Sequence, residues 1–326
     1  MLKFPLCATA LLALAVAPLI AFADDAASPA AAAASAAAYA PSFVPTHADR
    51  MILLDVERAG QRLVAVGERG VVFLSGDEGK TWQAQRTAVT RTLTMAAFAD
   101  ANNGIAVGHD ATVLRTSDAG SHWTRVVVPD AGSDSLLGVT WLGEQRYVAY
   151  GGFGLYIETR DGGQTWTRHK ILEPDFDRHI SRVFAAGAHR YVLVGESATL
   201  AVSDDAVNWK RIESPYKGSW FGGLATKSGA IVIYGMRGHV CRSEDGGASW
   251  TVIDIADERS VMNAQQLADG RIVLVGYAGL LDVSRDDGRS YQRLKGPLRA
   301  GIAQVQALAD GRLLTVGDRG ARTVTP

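Results

Sequence analysis

Seven short apolar runs, each closing on a glycine roughly 40 residues after the last, predict an all-β chain folded as a seven-bladed β-propeller of four-stranded antiparallel blades. Three observations carry this prediction. The runs are Val64–Gly67, Ile105–Gly108, Tyr147–Gly151, Val192–Gly195, Ile231–Gly235, Val273–Gly276 and Leu313–Gly317, with glycine spacings of 41, 43, 44, 40, 41 and 41 residues. They are rich in β-branched residues and separated by Gly and Asp turns, the pattern of short strands rather than of helices. Glycine is abundant, 35 of 326 residues, as a chain that reverses direction many times requires.

The elements follow in order. Lys3, the apolar run Leu6 to Ile20 and the pattern Ala21-Phe22-Ala23 read as a secretory signal with cleavage before Asp24, so residues 1–23 are expected to be lost on export to the periplasm. The run holds Pro18 and falls short of the ~20 residues a membrane-spanning helix needs. Residues 24–41 are Ala-rich; with Tyr39 their one large apolar side chain they cannot bury a core face and form a tether. Residues 42–326 are the propeller. Its seventh repeat stops at Pro326, soon after a third strand. Ring closure is therefore expected to draw the outer strand of that blade from Ser42 to Thr46, because an open edge leaves backbone donors and acceptors unpaired.

Composition removes several function classes. Lys and Arg number 33 against 34 Asp and Glu, which excludes a wholesale polyanion binder such as a nucleic-acid protein. Cys7 and Cys241 are the only cysteines, and Cys7 lies in the signal. Neither a disulfide framework nor a cysteine zinc site can be built, and Cys241 is expected to be buried.

A second motif follows each of the first six runs. Ser75-Gly76-Asp77-Glu78-Gly79-Lys80-Thr81-Trp82 resembles the Asp box, or BNR repeat, and is echoed at Thr116 to Trp123, Thr159 to Trp166, Val202 to Trp209, Ser243 to Trp250 and Ser284 to Tyr291. A carboxylate in a turn accepts backbone N–H groups, glycine permits positive φ, and the ring packs between blades. Asp77, Asp118, Asp161, Asp204, Asp245 and Asp286 are thus structural, since six equivalent acids cannot all be one general acid.

Repeat register then selects a face. With strands named A to D from the channel outward, B–C turns and D–A linkers share one face and the Asp boxes occupy the other. Seventeen residues before each repeat glycine stand Arg50, Arg91, Asp134, Arg178, Gly218, Arg259 and Ala300, with Arg299 one residue off. Two residues after it stand Arg69, Asp110, Phe153, Ser197, Arg237, Ala278 and Arg319. With Arg182, these arginines make a directed positive field and, with Phe153, Trp220 and Tyr277 nearby, a surface for recognising carboxylates. The alternative is pairing of the same arginines with Asp110, Asp134, Asp318 or Glu68 on the rim.

Catalytic and metal constellations are weak. Glu173, Asp175, Asp177 and His179 crowd one linker and read as a solvated loop. His109, Asp110 and His239 share a face without metal-ligand spacing. Neither a catalytic residue, a metal site nor a cofactor is assigned. Sialidases also carry Asp boxes, but their Phe/Tyr-Arg-Ile-Pro motif is absent here.

Over residues 42–326 the chain resembles the photosystem II stability and assembly factor family. That resemblance implies a non-enzymatic propeller that binds a membrane-protein subunit through an arginine patch formed here by Arg50, Arg91, Arg178 and Arg259. The expected partner is such a subunit or its acidic periplasmic segment, and the chain is expected to be a monomer. The plain signal and Ala-rich tether fit a periplasmic protein serving an envelope complex. A transporter accessory subunit and a glycan-binding or sialidase-like propeller are the alternatives.

Overall fold

The computed structural model describes residues 47–294 and 299–325; the signal, the tether and the closing strand Ser42 to Thr46 lie outside the described residues. Within them the chain forms six four-stranded antiparallel sheets and one three-stranded sheet, each in simple chain order, the seven blades of a propeller. Blade one is Leu53–Ala59, Arg62–Gly67, Val72–Ser75 and Gln83–Gln85. Blade seven is Ile302–Ala307, Leu313–Gly317 and Arg322–Val324. The ring closes where Ala321 N–H donates to the Ala48 carbonyl at 3.1 Å and Gln304 Nε2 donates to Asp55 Oδ1 at 2.8 Å.

Strand B of each blade is buried on both faces, which explains why it reads as a continuous apolar run instead of alternating. In blade one, Val64 and Val66 join Leu93, Ala106 and Leu114 of blade two in one core, whereas Leu63 and Ala65 join Leu308, Leu314 and Val316 of blade seven in another. Seven such cores, one per interface, circle the molecule. Each fully buried aliphatic side chain there contributes about 1.5–3 kcal/mol.

The repeat glycines are demanded by space. A Cβ on Gly67, Gly108, Gly151, Gly195, Gly235, Gly276 or Gly317 would lie 2.0–2.3 Å from the carbonyl oxygen that leads into strand A. Gly67, Gly151, Gly235 and Gly276 have φ between −173 and −177, which any residue adopts, so close approach alone fixes the residue type. That carbonyl accepts the next N–H in every blade, from Glu68 to Ile52 at 3.0 Å through Asp318 to Gly301 at 3.2 Å. A bulge in the A–B pairing follows at each site.

The Asp boxes act as turn staples. Asp77 Oδ1 accepts from Ser75 Oγ at 2.8 Å and Thr81 N at 2.9 Å, and its Oδ2 from Thr81 Oγ1 at 2.6 Å. These bonds, the Thr81 hydroxyl first, hold its carboxyl at about 2. The box ring packs on the preceding blade: Trp123 on Val64 and Leu74, Trp166 on Ile105, and Tyr291 on Val232. The fourth box corrects the expected assignment. Its carboxylate is Asp205, which accepts from Ser203 Oγ, Val207 N and Asn208 N at 2.9, 2.9 and 2.7 Å. Asp204 is 78% exposed and lies 3.5 Å from Arg190 Nη1. The turn is one residue shorter than the others and lacks their glycine, so spacing counted back from Trp209 lands one position early.

Candidate functional site

The B–C turns and D–A linkers meet on one face. Arg91 Nε lies 3.1 Å from Asp110 Oδ2, Arg178 Nη1 donates to the Ser197 carbonyl at 3.0 Å, and Arg259 Nη1 donates to the Ala278 carbonyl at 2.8 Å. Each linker arginine therefore touches the tip of its own blade's turn. The tips are raised by positive φ at Arg69 (57°), Phe153 (51°), Arg237 (55°) and Ala278 (50°), which points these side chains away from the sheet.

This geometry separates the arginines into two groups. Arg91 is paired with Asp110, and Arg259 is gripped by Asp257 at 2.6 Å. Asp257 also contacts Arg293, which in turn contacts Asp282. In circular order, however, Arg299, Arg319, Arg50 and Arg69 follow one another across blades seven and one, all exposed and without an ion pair among the described residues. Blade one places two cations, Arg50 and Arg69, where blade two has its Arg91–Asp110 pair. The nearest repeat acids are committed to backbone: Glu68 Oε1 accepts Ile52 N at 3.0 Å and Asp318 Oδ2 accepts Gly301 N at 2.9 Å. Arg237 is exposed on blade five, and Phe153 and Tyr277 stand 60% and 56% exposed on the same face.

Two expected members leave the face. Trp220 is 0% exposed, donates Nε1–H to Ser214 Oγ at 2.9 Å and belongs to the core between blades four and five, so it cannot meet a partner. Its position in strand A, after the linker has turned inward, buries it. Arg182 enters the channel and reaches across it, with Nη1 3.1 Å from the Met95 sulfur of blade two.

Arg182 belongs to a belt that register alone could have shown. Asp55, Met95, Gly138, Arg182, Gly222, Asn263 and Gln304 each stand opposite the residue before a repeat glycine. At Gly138 and Gly222 a Cβ would strike the rings of Tyr150 and Tyr234, so the two glycines admit phenols from strand B at this depth. Asp55 accepts from Ala96 N and Gln304 Nε2, both at 2.8 Å. Burial raises Asp55, and burial followed by the Asp55 charge raises Glu57 to about 8, while Arg182 opposes both shifts. The belt is a charge-balanced plug joining blades one, two, four and seven.

Elsewhere, Glu173 forms a bidentate pair with Arg211 at 2.9 and 2.8 Å. His179 Nδ1 lies 2.8 Å from Glu196. Among the described residues no group of three or more His, Cys, Asp or Glu could hold a metal ion. Cys241 is buried, and burial pushes its thiol to about 12.

Residues 88–220 match the family described as photosynthesis system II assembly factor YCF48. A photosystem II assembly lipoprotein Ycf48 from Synechococcus sp. (strain CC9902) is 34% identical over 73 residues, so the match spans 22% of this chain and about a fifth, 22%, of that relative's length. Among solved structures, YCF48 bound to D1 peptide aligns with TM-score 0.71 and 17% identity over 86% of this chain and 94% of that one. YCF48 from Cyanidioschyzon merolae aligns with TM-score 0.69 and 17% identity over 87% and 98%. The WD40 propeller domain of Doa1 reaches TM-score 0.69 at 12% identity over 86% and 94%. At these identities the structural likeness is one of fold. The resemblance carried by the Asp boxes is borne out: the chain is a propeller similar to the photosystem II assembly factors.

Proposed function

We propose that this assembly factor-like propeller is a non-enzymatic, exported binding factor that docks on a carboxylate-bearing segment of an envelope membrane protein through its arginine face. The observation that carries the reading is the succession of Arg299, Arg319, Arg50 and Arg69 without ion pairs among the described residues, in a chain whose charges otherwise nearly cancel. Guanidinium groups left free at a surface suit bidentate carboxylate recognition and steer an acidic partner to one face. Arg237, Phe153 and Tyr277 extend that face, and Arg91, Arg178 and Arg259 brace it through the turn tips. Support comes from relatives named as assembly factors, one of them a lipoprotein and another solved with a D1 peptide. No helix among the described residues is long and apolar enough to cross a membrane.

The test is capture from detergent-solubilised envelope membranes by the mature protein beside an Arg50→Glu, Arg69→Glu, Arg319→Glu variant. A membrane protein retained by the former and lost from the latter, at equal melting temperature, is expected. Equal retention by both overturns the reading, as does an empty capture accompanied by sialoside cleavage.

A further inference from the structure

A groove crosses the same face over the seventh blade. Ile52 and Leu54 wall it from blade one, Met262 and Tyr277 from blade six, and Arg299 and Ala303 belong to the seventh blade. Small side chains create it. Gly301 and Ala303 occupy the repeat positions held by Ile52 and Leu54 in blade one and by Ser260 and Met262 in blade six. A side chain at Gly301 would enter the groove, since a Cβ there meets Asp318 Oδ2 at 3.4 Å and the Tyr277 ring at 3.8 Å, ordinary contact distances. Ile52 and Tyr277 are 42% and 56% exposed, large apolar side chains left bare on the arc that carries Arg299, Arg319 and Arg50, which make no ion pair among the described residues.

Resting on the arginine-face reading, we infer that this groove seats an extended partner segment in which apolar side chains alternate with carboxylates. An extended chain sends successive side chains to opposite sides, so one set descends onto Ile52, Leu54, Met262 and Tyr277 while the other meets the guanidinium rim. A wholly apolar segment leaves the arginines unpaired. A wholly acidic one desolvates carboxylates over the apolar floor, and a basic one is repelled.

The probe is a short labelled peptide of alternating Leu and Glu, with Leu/Gln and Leu/Lys versions, titrated into the mature protein by fluorescence anisotropy. Loss of at least about ten-fold in affinity, the equivalent of roughly 1.4 kcal/mol, is expected for the Leu/Gln peptide, and likewise for Gly301→Leu, Tyr277→Ala and Arg299→Glu with the Leu/Glu peptide. Lys210→Glu, on the outer strand of blade four, leaves binding unchanged. Should Gly301→Leu fold poorly, Tyr277→Ala carries the test, since that side chain is exposed. Equal binding of the Leu/Lys and Leu/Glu peptides, or indifference to both groove variants, overturns the inference. If the groove variants keep the membrane partner while the triple arginine variant loses it, the groove fails and the arginine face stands. If neither set of variants loses it, both fail.

Discussion

Gly151→Ala tests why the repeat carries glycine at all. A Cβ there would lie 2.0 Å from the Ser135 carbonyl oxygen and 2.8 Å from Leu136 Cα. Both neighbours are backbone, so relief requires strand A of blade three to retreat by about 1 Å within a close-packed interior. That retreat lengthens the bond from Gly152 N–H to the Ser135 carbonyl, now 2.9 Å, and loosens Leu136 and Tyr150, both 0% exposed. Overpacking costs about 1–3 kcal/mol and an unsatisfied buried N–H a similar amount, so a loss of about 3 kcal/mol is expected, a fall of roughly 6–10 °C in melting temperature for a single-domain chain of this size. Gly162→Ala is the comparison. Its φ is +70° but nothing lies within 4 Å of the added Cβ, so only the backbone conformation is penalised, by about 1 kcal/mol. Urea titration and calorimetry of the two variants decide the matter. A Gly151→Ala protein no less stable than Gly162→Ala would refute the claim that space, and not conformation, selects the repeat glycine.

Three further outcomes follow from the same geometry. Asp205→Ala should cost about 2 kcal/mol, because it strips a charged acceptor from two backbone N–H groups and the Ser203 hydroxyl, whereas Asp204→Ala should change the urea midpoint little; the reverse order would restore the unshifted reading of the fourth box. Trp166→Ala removes a 5% exposed ring from the core between blades two and three and should destabilise by about 3–5 kcal/mol, an expectation that near-normal calorimetry contradicts. Glu57 titrates at about 8 in the fold against 4.5 when unperturbed, so the folded state holds the extra proton between these values. Stability should therefore decline as pH rises from about 4.5 to 8 and level off above, with a Glu57 share on the order of 2 kcal/mol once water access is allowed for. Glu57→Gln should remove that share, and an unchanged difference between urea midpoints at pH 5 and pH 9 would count against it.

Much of the fold was legible because its determinants are local and repeated. The repeat glycine answers to one carbonyl oxygen, strand B to two neighbouring blades, and the box carboxylate to N–H groups within four residues. Seven near-copies reinforce one another, so blade number and strand order could be read without any long-range contact. The same local logic failed where a copy was damaged. Counting from Trp209 places the fourth carboxylate at Asp204, but the turn closes around Ser203 and lacks the glycine, and hydrogen bonding moves the role to Asp205.

The candidate site was legible only in outline, because register says which face a residue approaches and not what it meets there. Arg91 and Arg50 share a register position, yet Arg91 pairs with Asp110 while the turn-tip position matched to Arg50 carries Arg69, a distinction set by the turn tip of each blade. Trp220 shares the face in sequence but sits within strand A, where inward turning buries it against Ser214 and Tyr216. Arg182 lies two residues into its strand, and that displacement takes it from the rim to the channel, where Asp55 and Glu57 of blade one, distant in sequence, offset the desolvation of a half-buried guanidinium. A buried charge survives only with compensation, so the belt constrains which residues its other blades can carry at this depth. The rim, facing water, carries no such constraint. The arginines free to vary without harm to the fold are therefore the ones at the surface, and their gathering across blades seven and one is not demanded by stability, which is why the proposed docking reading is tested there by charge reversal and not by a change in melting temperature.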